Sequence, residues 1–143
     1  LPEGRYSYQG SCVPTGLFNG ITTGEVYLTR AEALARQGKT EEALKDLNQV
    51  LSTRYSRNRF DPYTGRDLRE TLSLVLGERK KELLFRGTRW TDIKRLNSDP
   101  FYRQTLKRYL LGKTYLLPPG DARFAYLLPP EVIQLTGMPQ NKR

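Results

Sequence analysis

Three residues, Gln37-Gly38-Lys39, separate two stretches of helical periodicity, and so short a connection makes the chain turn back on itself. Before the turn, Val26, Tyr27, Leu28, Ala31, Leu34 and Ala35 recur at intervals of three and four; after it, Ala43, Leu44, Leu47, Val50 and Leu51 do the same. Thr23 is placed to cap the first helix, with Glu25 near the positive end of its dipole. Thr40, followed by Glu41 and Glu42, reads as the cap of the second. Gly38 supplies the left-handed residue that helix ends commonly require. Small Ala31 and Ala43 on either side of the turn, with Tyr27 and Leu47 farther out, let the two backbones approach closely. That layout over residues 24–55 is the layout of a tetratricopeptide unit, whose period is about 34 residues. One such unit cannot bury both of its faces, so it needs a neighbour, either a helix at 67–86 or chain outside this sequence.

Residues 66–97 supply core helices. A helix beginning near Asp67 places Leu68, Leu72, Val75, Leu76 and Leu83 on one side, and Arg79 and Arg86 project into the same stripe. A guanidinium among leucines loses hydration and needs carboxylates or backbone carbonyls, so this helix is expected to dock on an element that provides them. Gly87 is expected to break it. Trp90, Ile93 and Leu96 then recur every third residue on a short helix that carries the only tryptophan. Arg79, Glu82, Trp90 and Asp92 are accordingly assigned to core and ion-pair roles. The carboxylate pairs Glu41 with Glu42 and Glu78 with Glu82 lie among arginines and lysines, where ion pairing is their simplest use.

Residues 1–23 hold too many glycines and prolines for a long helix, and Arg5-Tyr6-Ser7-Tyr8 suits a short strand. Residues 56–64 form a loop containing Phe60 and Tyr63. Residues 105–143 read as a hairpin and a terminal helix: 105–111 and 114–117 flank Gly112-Lys113, a two-residue connection with glycine first, which fits a type II′ turn and would pair Tyr109 with Tyr115. Residues 123–128 run extended, and Pro129-Pro130-Glu131-Val132-Ile133 opens a short helix that Gly137 closes. The polar tail from Met138 lies on the surface. The fold class is mainly α: a tetratricopeptide-like helical pair plus packed helices, with a small C-terminal β-hairpin and irregular loops.

The chain has no histidine, and Cys12 is its only cysteine. Hydrolytic triads, zinc chemistry and an intrachain disulfide are thereby disfavoured, and phosphate loops, acidic calcium loops and serine elbows are absent. No catalytic residue, metal site or cofactor is expected. The net charge of +9 would suit a nucleic acid, an anionic membrane surface or an acidic polysaccharide. The basic residues are spread along the chain, however, with only Arg54, Arg57 and Arg59 loosely clustered, and no nucleic-acid recognition motif is present. No apolar run reaches the roughly 18 residues of a membrane span. The chain opens without methionine in a loop-like stretch and reads as a piece of a longer protein. Tyr6, Tyr8, Phe60 and Tyr63 are candidates for stacking on sugar rings, beside the plainer role of pinning loops.

Three stretches carry a resemblance to a known family. The first is Gly20-Ile21 leading into Glu25-Val26-Tyr27-Leu28-Thr29-Arg30-Ala31-Glu32-Ala33, with Ala43-Leu44-Lys45-Asp46-Leu47-Asn48. The second is Glu78-Arg79-Lys80-Lys81-Glu82-Leu83 with Gly87, Arg89, Trp90, Asp92, Lys94 and Arg95. The third is Tyr115-Leu116-Leu117-Pro118-Pro119 with Leu128-Pro129-Pro130-Glu131-Val132-Ile133. Together they resemble the C-terminal part of the SusD/RagB family, glycan-binding outer-membrane lipoproteins that partner TonB-dependent, SusC-like transporters. The sequence departs from the family pattern at Arg86, where an acid before the glycine is frequent, and at Leu128, where isoleucine or another apolar residue is usual. The resemblance implies one SusD-like domain of which residues 1–143 are the last part. It further implies non-catalytic capture of a glycan or other nutrient on the surface of a Gram-negative outer membrane, and delivery to the transporter. Membrane attachment would run only through a lipidated cysteine outside this sequence, since Cys12 has no apolar run before it; nucleic acid is not implied. In such proteins the repeat units form the scaffold that faces the transporter. The alternative is a tetratricopeptide-type scaffold for protein partners, which would need only residues 24–55.

Overall fold

The computed structural model describes residues 20–56 and 59–142. In chain order these form α1 (Thr23–Arg36), α2 (Thr40–Ser52), α3 (Leu68–Glu82), α4 (Arg89–Leu96), strands β1 (Leu106–Leu110) and β2 (Lys113–Leu117), a 3-10 turn (Ala122–Phe124) and α5 (Pro130–Thr136). The expected class holds: the chain is mainly α with a small antiparallel hairpin. It divides into two compact units, one ending at Arg89 and the other starting at Trp90. The strand expected at Arg5-Tyr6-Ser7-Tyr8 lies outside the described residues.

In the first unit α1 and α2 pack as the close pair that the sequence requires. Leu28, Ala31 and Ala35 meet Ala43, Leu44, Leu47, Val50 and Leu51 in the core, and Ala31 and Ala43 are wholly buried. Both caps sit one residue earlier than expected. Thr22, in extended conformation, accepts the Glu25 N–H at 3.2 Å, so the hydroxyl that caps α1 is its own and not that of Thr23. Thr40 is the first residue inside α2. The cap position falls to Lys39, whose N–H bonds back to the Leu34 carbonyl at 3.0 Å and closes the turn before Thr40 is reached. Gly38 takes the left-handed conformation with φ +81°. Outside the apolar seam, Arg30 joins the helices by a two-pronged bond to Asp46, Nε to Oδ2 at 2.6 Å and Nη2 to Oδ1 at 2.7 Å.

The neighbour that this pair needs is α3, which packs along α1, also touches α2, and buries Leu72 and Val75, with Leu83 buried just past its end. Asp67 caps it by accepting the Glu70 N–H at 2.8 Å. Leu68, in the first turn, stays exposed and takes no part in the core. Arg79 is held near α1, its Nη1 donating to Thr29 Oγ1 at 3.1 Å and its Nη2 lying 3.8 Å from the Glu25 carboxylate; the Arg86 guanidinium donates to the Gly20 carbonyl. The helix ends at Glu82, short of Gly87. Phe85 enters the left-handed region at φ +60°, two residues before the glycine at φ +73°, so the backbone has already left the helix when Gly87 arrives.

In the second unit α4 buries Ile93 and Leu96, and Trp90 packs against Phe124 and Tyr126 with ring centroids 5.0 and 5.6 Å away. The hairpin turn is Leu111-Gly112, one residue earlier than the expected Gly112-Lys113. Both residues have positive φ, +48° and +74°, which is the pattern of a type I′ turn and excludes type II′. The shift sets the register: Tyr109 faces Thr114 and Tyr115 faces Arg108, which puts the two tyrosines on opposite faces of the ribbon instead of paired. Residues 123–128 are extended only in part, because Asp121 accepts the Arg123 N–H at 2.9 Å and winds Ala122–Phe124 into a 3-10 turn. Hydrogen bonds from the Arg123 side chain and backbone lower the Asp121 carboxyl to about 2. α5 opens with Pro130 and closes at Gly137, φ +66°. The tail is tied down by Gln140, whose amide accepts the Leu128 N–H at 2.8 Å and donates to the Leu128 carbonyl at 3.0 Å.

Candidate functional site

One face of α2 carries Glu41, Lys45, Asn48, Gln49 and Ser52 at spacings of three and four, so all five side chains project along one strip of the helix. The loop at 59–65 is laid across this strip and is held there by specific bonds. Asn48 reads both polar groups of one peptide residue, its Oδ1 accepting the Tyr63 N–H at 2.9 Å and its Nδ2 donating to the Tyr63 carbonyl at 2.8 Å. The Gly65 N–H donates to Glu41 Oε1 at 3.3 Å, and Phe60 stacks on Tyr55 with centroids 5.7 Å apart. Between helix and loop lies a groove of about 440 Å³ whose far wall is Phe60, Pro62, Tyr63 and Thr64.

This volume falls within the range of about 300–1,000 Å³ typical of small-molecule sites. The wall is apolar and aromatic while the helix side presents an ammonium, amides and a hydroxyl. Such a pairing suits a ligand with flat apolar patches and many hydroxyls, since aromatic faces take the C–H surfaces and polar groups read the oxygens. It is poorly suited to acid–base chemistry: Glu41 already accepts a backbone hydrogen bond, and the chain has no histidine. Among the described residues no group of acids or other ligand-forming side chains could hold a metal ion. No helix there is long and apolar enough to cross a membrane.

The structure brings together two of the four sugar-stacking candidates, Phe60 and Tyr63, each half-buried at the groove. Tyr6 and Tyr8 lie outside the described residues. The candidates for core and ion-pair roles are elsewhere. Arg79 holds α3 to α1, as above, and Glu82 accepts from Arg54 at 2.9 Å and 2.5 Å, linking α3 to the chain just after α2. Gly24 leaves the space for that carboxylate, since a Cβ at this position would stand 2.6 Å from Glu82 Oε1. In the second unit, buried Asp92 accepts from Arg95 Nε at 2.9 Å, and Trp90 belongs to the aromatic cluster with Phe124 and Tyr126. None of these four lines the groove.

The sequence assigns no groove role to the helix side of this site, to Asn48, Gln49 or Ser52. An asparagine in a helix interior is disfavoured unless its amide has a specific partner, and that local misfit was the available signal. Nothing in the spacing identifies a partner fifteen residues later.

The family model described as the SusD family matches residues 21–122, a span that runs from the start of α1 through the hairpin. No curated protein matches the chain.

Proposed function

The chain belongs to the SusD family, and on that premise we propose that it is a non-catalytic binding protein that captures a glycan nutrient and hands it to a TonB-dependent transporter. It would act at the outer surface of a Gram-negative outer membrane, held by a lipid anchor. The observation that carries this reading is the family match over residues 21–122. The groove beside α2 supports it, because Phe60 and Tyr63 supply ring contacts next to Lys45, Gln49 and Ser52 as hydroxyl readers. Tyr6 and Tyr8 remain proposed contacts of the same kind.

Calorimetric titration of the protein with a panel of neutral and acidic oligosaccharides tests the proposal. At least one should bind without being cleaved or modified. Aromatic contacts are worth about 0.5–1.5 kcal/mol each, so Phe60→Ala and Tyr63→Ala should each weaken binding roughly two- to tenfold. Failure of the whole panel to bind would overturn the glycan reading. Binding that ignores both substitutions would keep the reading and move the site away from this groove.

A further inference from the structure

The β1–β2 hairpin has no use in the function proposed above, yet its surface is unusual. Leu110, Leu111, Tyr109, Tyr115 and Leu116 are all exposed, and Leu111 at the very tip presents 91% of its surface to solvent. Beside them stand exposed Lys107, Arg108 and Lys113. From Arg103 to Gly120 the chain contains no acid at all, and the next one, Asp121, is bonded to Arg123. The hairpin is therefore apolar at its end and basic behind it, with no acid in its own strands or turn.

The register orders these groups by depth. Leu111 is at the turn, then Leu110 beside Lys113, then Tyr109 beside Thr114, then Arg108 beside Tyr115, then Lys107 beside Leu116. At about 3.4 Å per residue the tyrosines lie roughly 7–10 Å behind the tip and the first arginine lies at a similar depth. Aliphatic side chains at the end, tyrosines next and long basic side chains around them follow the polarity profile of a lipid interface, which runs from acyl chains through the headgroup boundary to phosphate. The turn also favours a polar residue at position 111, since φ +48° suits Asn or Gly; a leucine there is conformationally strained as well as wet.

We propose that this hairpin is a membrane-contacting tip, with Leu110 and Leu111 entering the interface of an anionic bilayer while Lys107, Arg108 and Lys113 meet its headgroups. The charge pattern selects an anionic surface, and the aliphatic tip selects lipid over an acidic glycan, whose hydroxylated surface offers nothing for Leu111 to enter. This inference is independent of the groove and of any glycan.

Co-sedimentation of the protein with phosphatidylcholine vesicles, with and without about one-quarter phosphatidylglycerol, tests it. Binding should require the anionic lipid and weaken as salt rises. Leu111→Ser should reduce the partition coefficient tenfold or more, and Arg108→Gln roughly fivefold. Leu135→Ser, which alters an equally exposed leucine on α5, should leave it unchanged. A Leu111→Trp variant keeps an apolar tip and should show a blue-shifted emission component on vesicle addition, which also guards against misfolding of the serine variant. Absence of binding to anionic vesicles would overturn the proposal. So would binding that responds to Arg108→Gln and ignores Leu111→Ser, since that pattern means surface electrostatics alone or a protein or glycan partner.

Discussion

Two polar groups, one wholly buried and one half-buried, show how differently a single residue can sit in this fold. Thr71 on α3 is wholly buried and its hydroxyl has no hydrogen-bond partner among the described residues. Valine has nearly the same shape without the oxygen, and leaving a buried hydroxyl unpaired costs about 1–3 kcal/mol. Thr71→Val should therefore stabilise the protein by about 1 kcal/mol, read as a rise in the denaturant midpoint at unchanged slope; a fall would mean that the hydroxyl has a bound water. Glu82 is the satisfied counterpart. Hydrogen bonds from Arg54, with the charges of Arg54 and Arg86, lower its pKa against the opposing effect of burial. A carboxyl whose folded pKa is depressed binds protons more readily when unfolded, so its stabilising effect is present above the ordinary glutamate range and is lost as pH falls through and below it. Because solvent reaches the pair, the contribution is modest, about 0.5–1 kcal/mol. Melting temperatures of the wild type and Glu82→Gln should differ at pH 7 and converge by about pH 3, and curves that stay parallel would show that Glu82 titrates alike in both states.

Elements were legible where one local signal sufficed and shifted where two signals competed. The α1–α2 pair, the start of α3 at Asp67 and the proline-led α5 follow from periodicity, a capping acid and a fixed φ, and all three are present as read. The end of α3 was misplaced because glycine is the usual breaker and nothing about Phe85 announces φ +60°. The hairpin slipped by one residue for the same reason: Gly112 fits either the first place of a type II′ turn or the second place of type I′, and choosing between them needs the cross-strand register, which is not local. In the groove, the aromatic wall of Phe60 and Tyr63 was legible as two aromatics in a polar loop, whereas the Asn48 clamp joins residues fifteen apart and is visible only after folding. The hairpin also supplies a test at this scale. A leucine held left-handed costs about 1–2 kcal/mol, and asparagine tolerates that conformation and is favoured before glycine in a type I′ turn. Leu111→Asn should lower amide exchange rates across 106–117 severalfold while α1 and α2 are unaffected; unchanged protection would mean that the turn conformation in solution is not the left-handed one.

At the scale of the molecule the two units differ most in what each buries for itself. The first has a continuous apolar core drawn from three helices: Leu28, Ala31 and Ala35 of α1, the five apolar residues of α2, and Leu72 and Val75 of α3. The second buries only Ile93, Leu96 and Phe124 among its described apolar side chains, with Trp90 half-covered beside them, and its hairpin is a two-stranded ribbon of a kind that is marginal on its own. Apolar burial is the dominant stabilising contribution and local stability follows it, so the second unit's own core should open at lower denaturant than that of the first. The sequence provides the probe, because its single tryptophan belongs to the second unit and most of its helix to the first. Tryptophan emission should therefore change at a lower urea concentration than far-ultraviolet circular dichroism. Trp90→Ala removes the ring that Phe124 and Tyr126 pack on, and for a partly exposed aromatic the loss should be about 2–3 kcal/mol. Hydrogen exchange in this variant should rise across α4 and the hairpin and remain near wild type in α1 and α2. Coincident transitions by both probes, together with a uniform rise in exchange on Trp90→Ala, would show instead that the chain unfolds as one cooperative body.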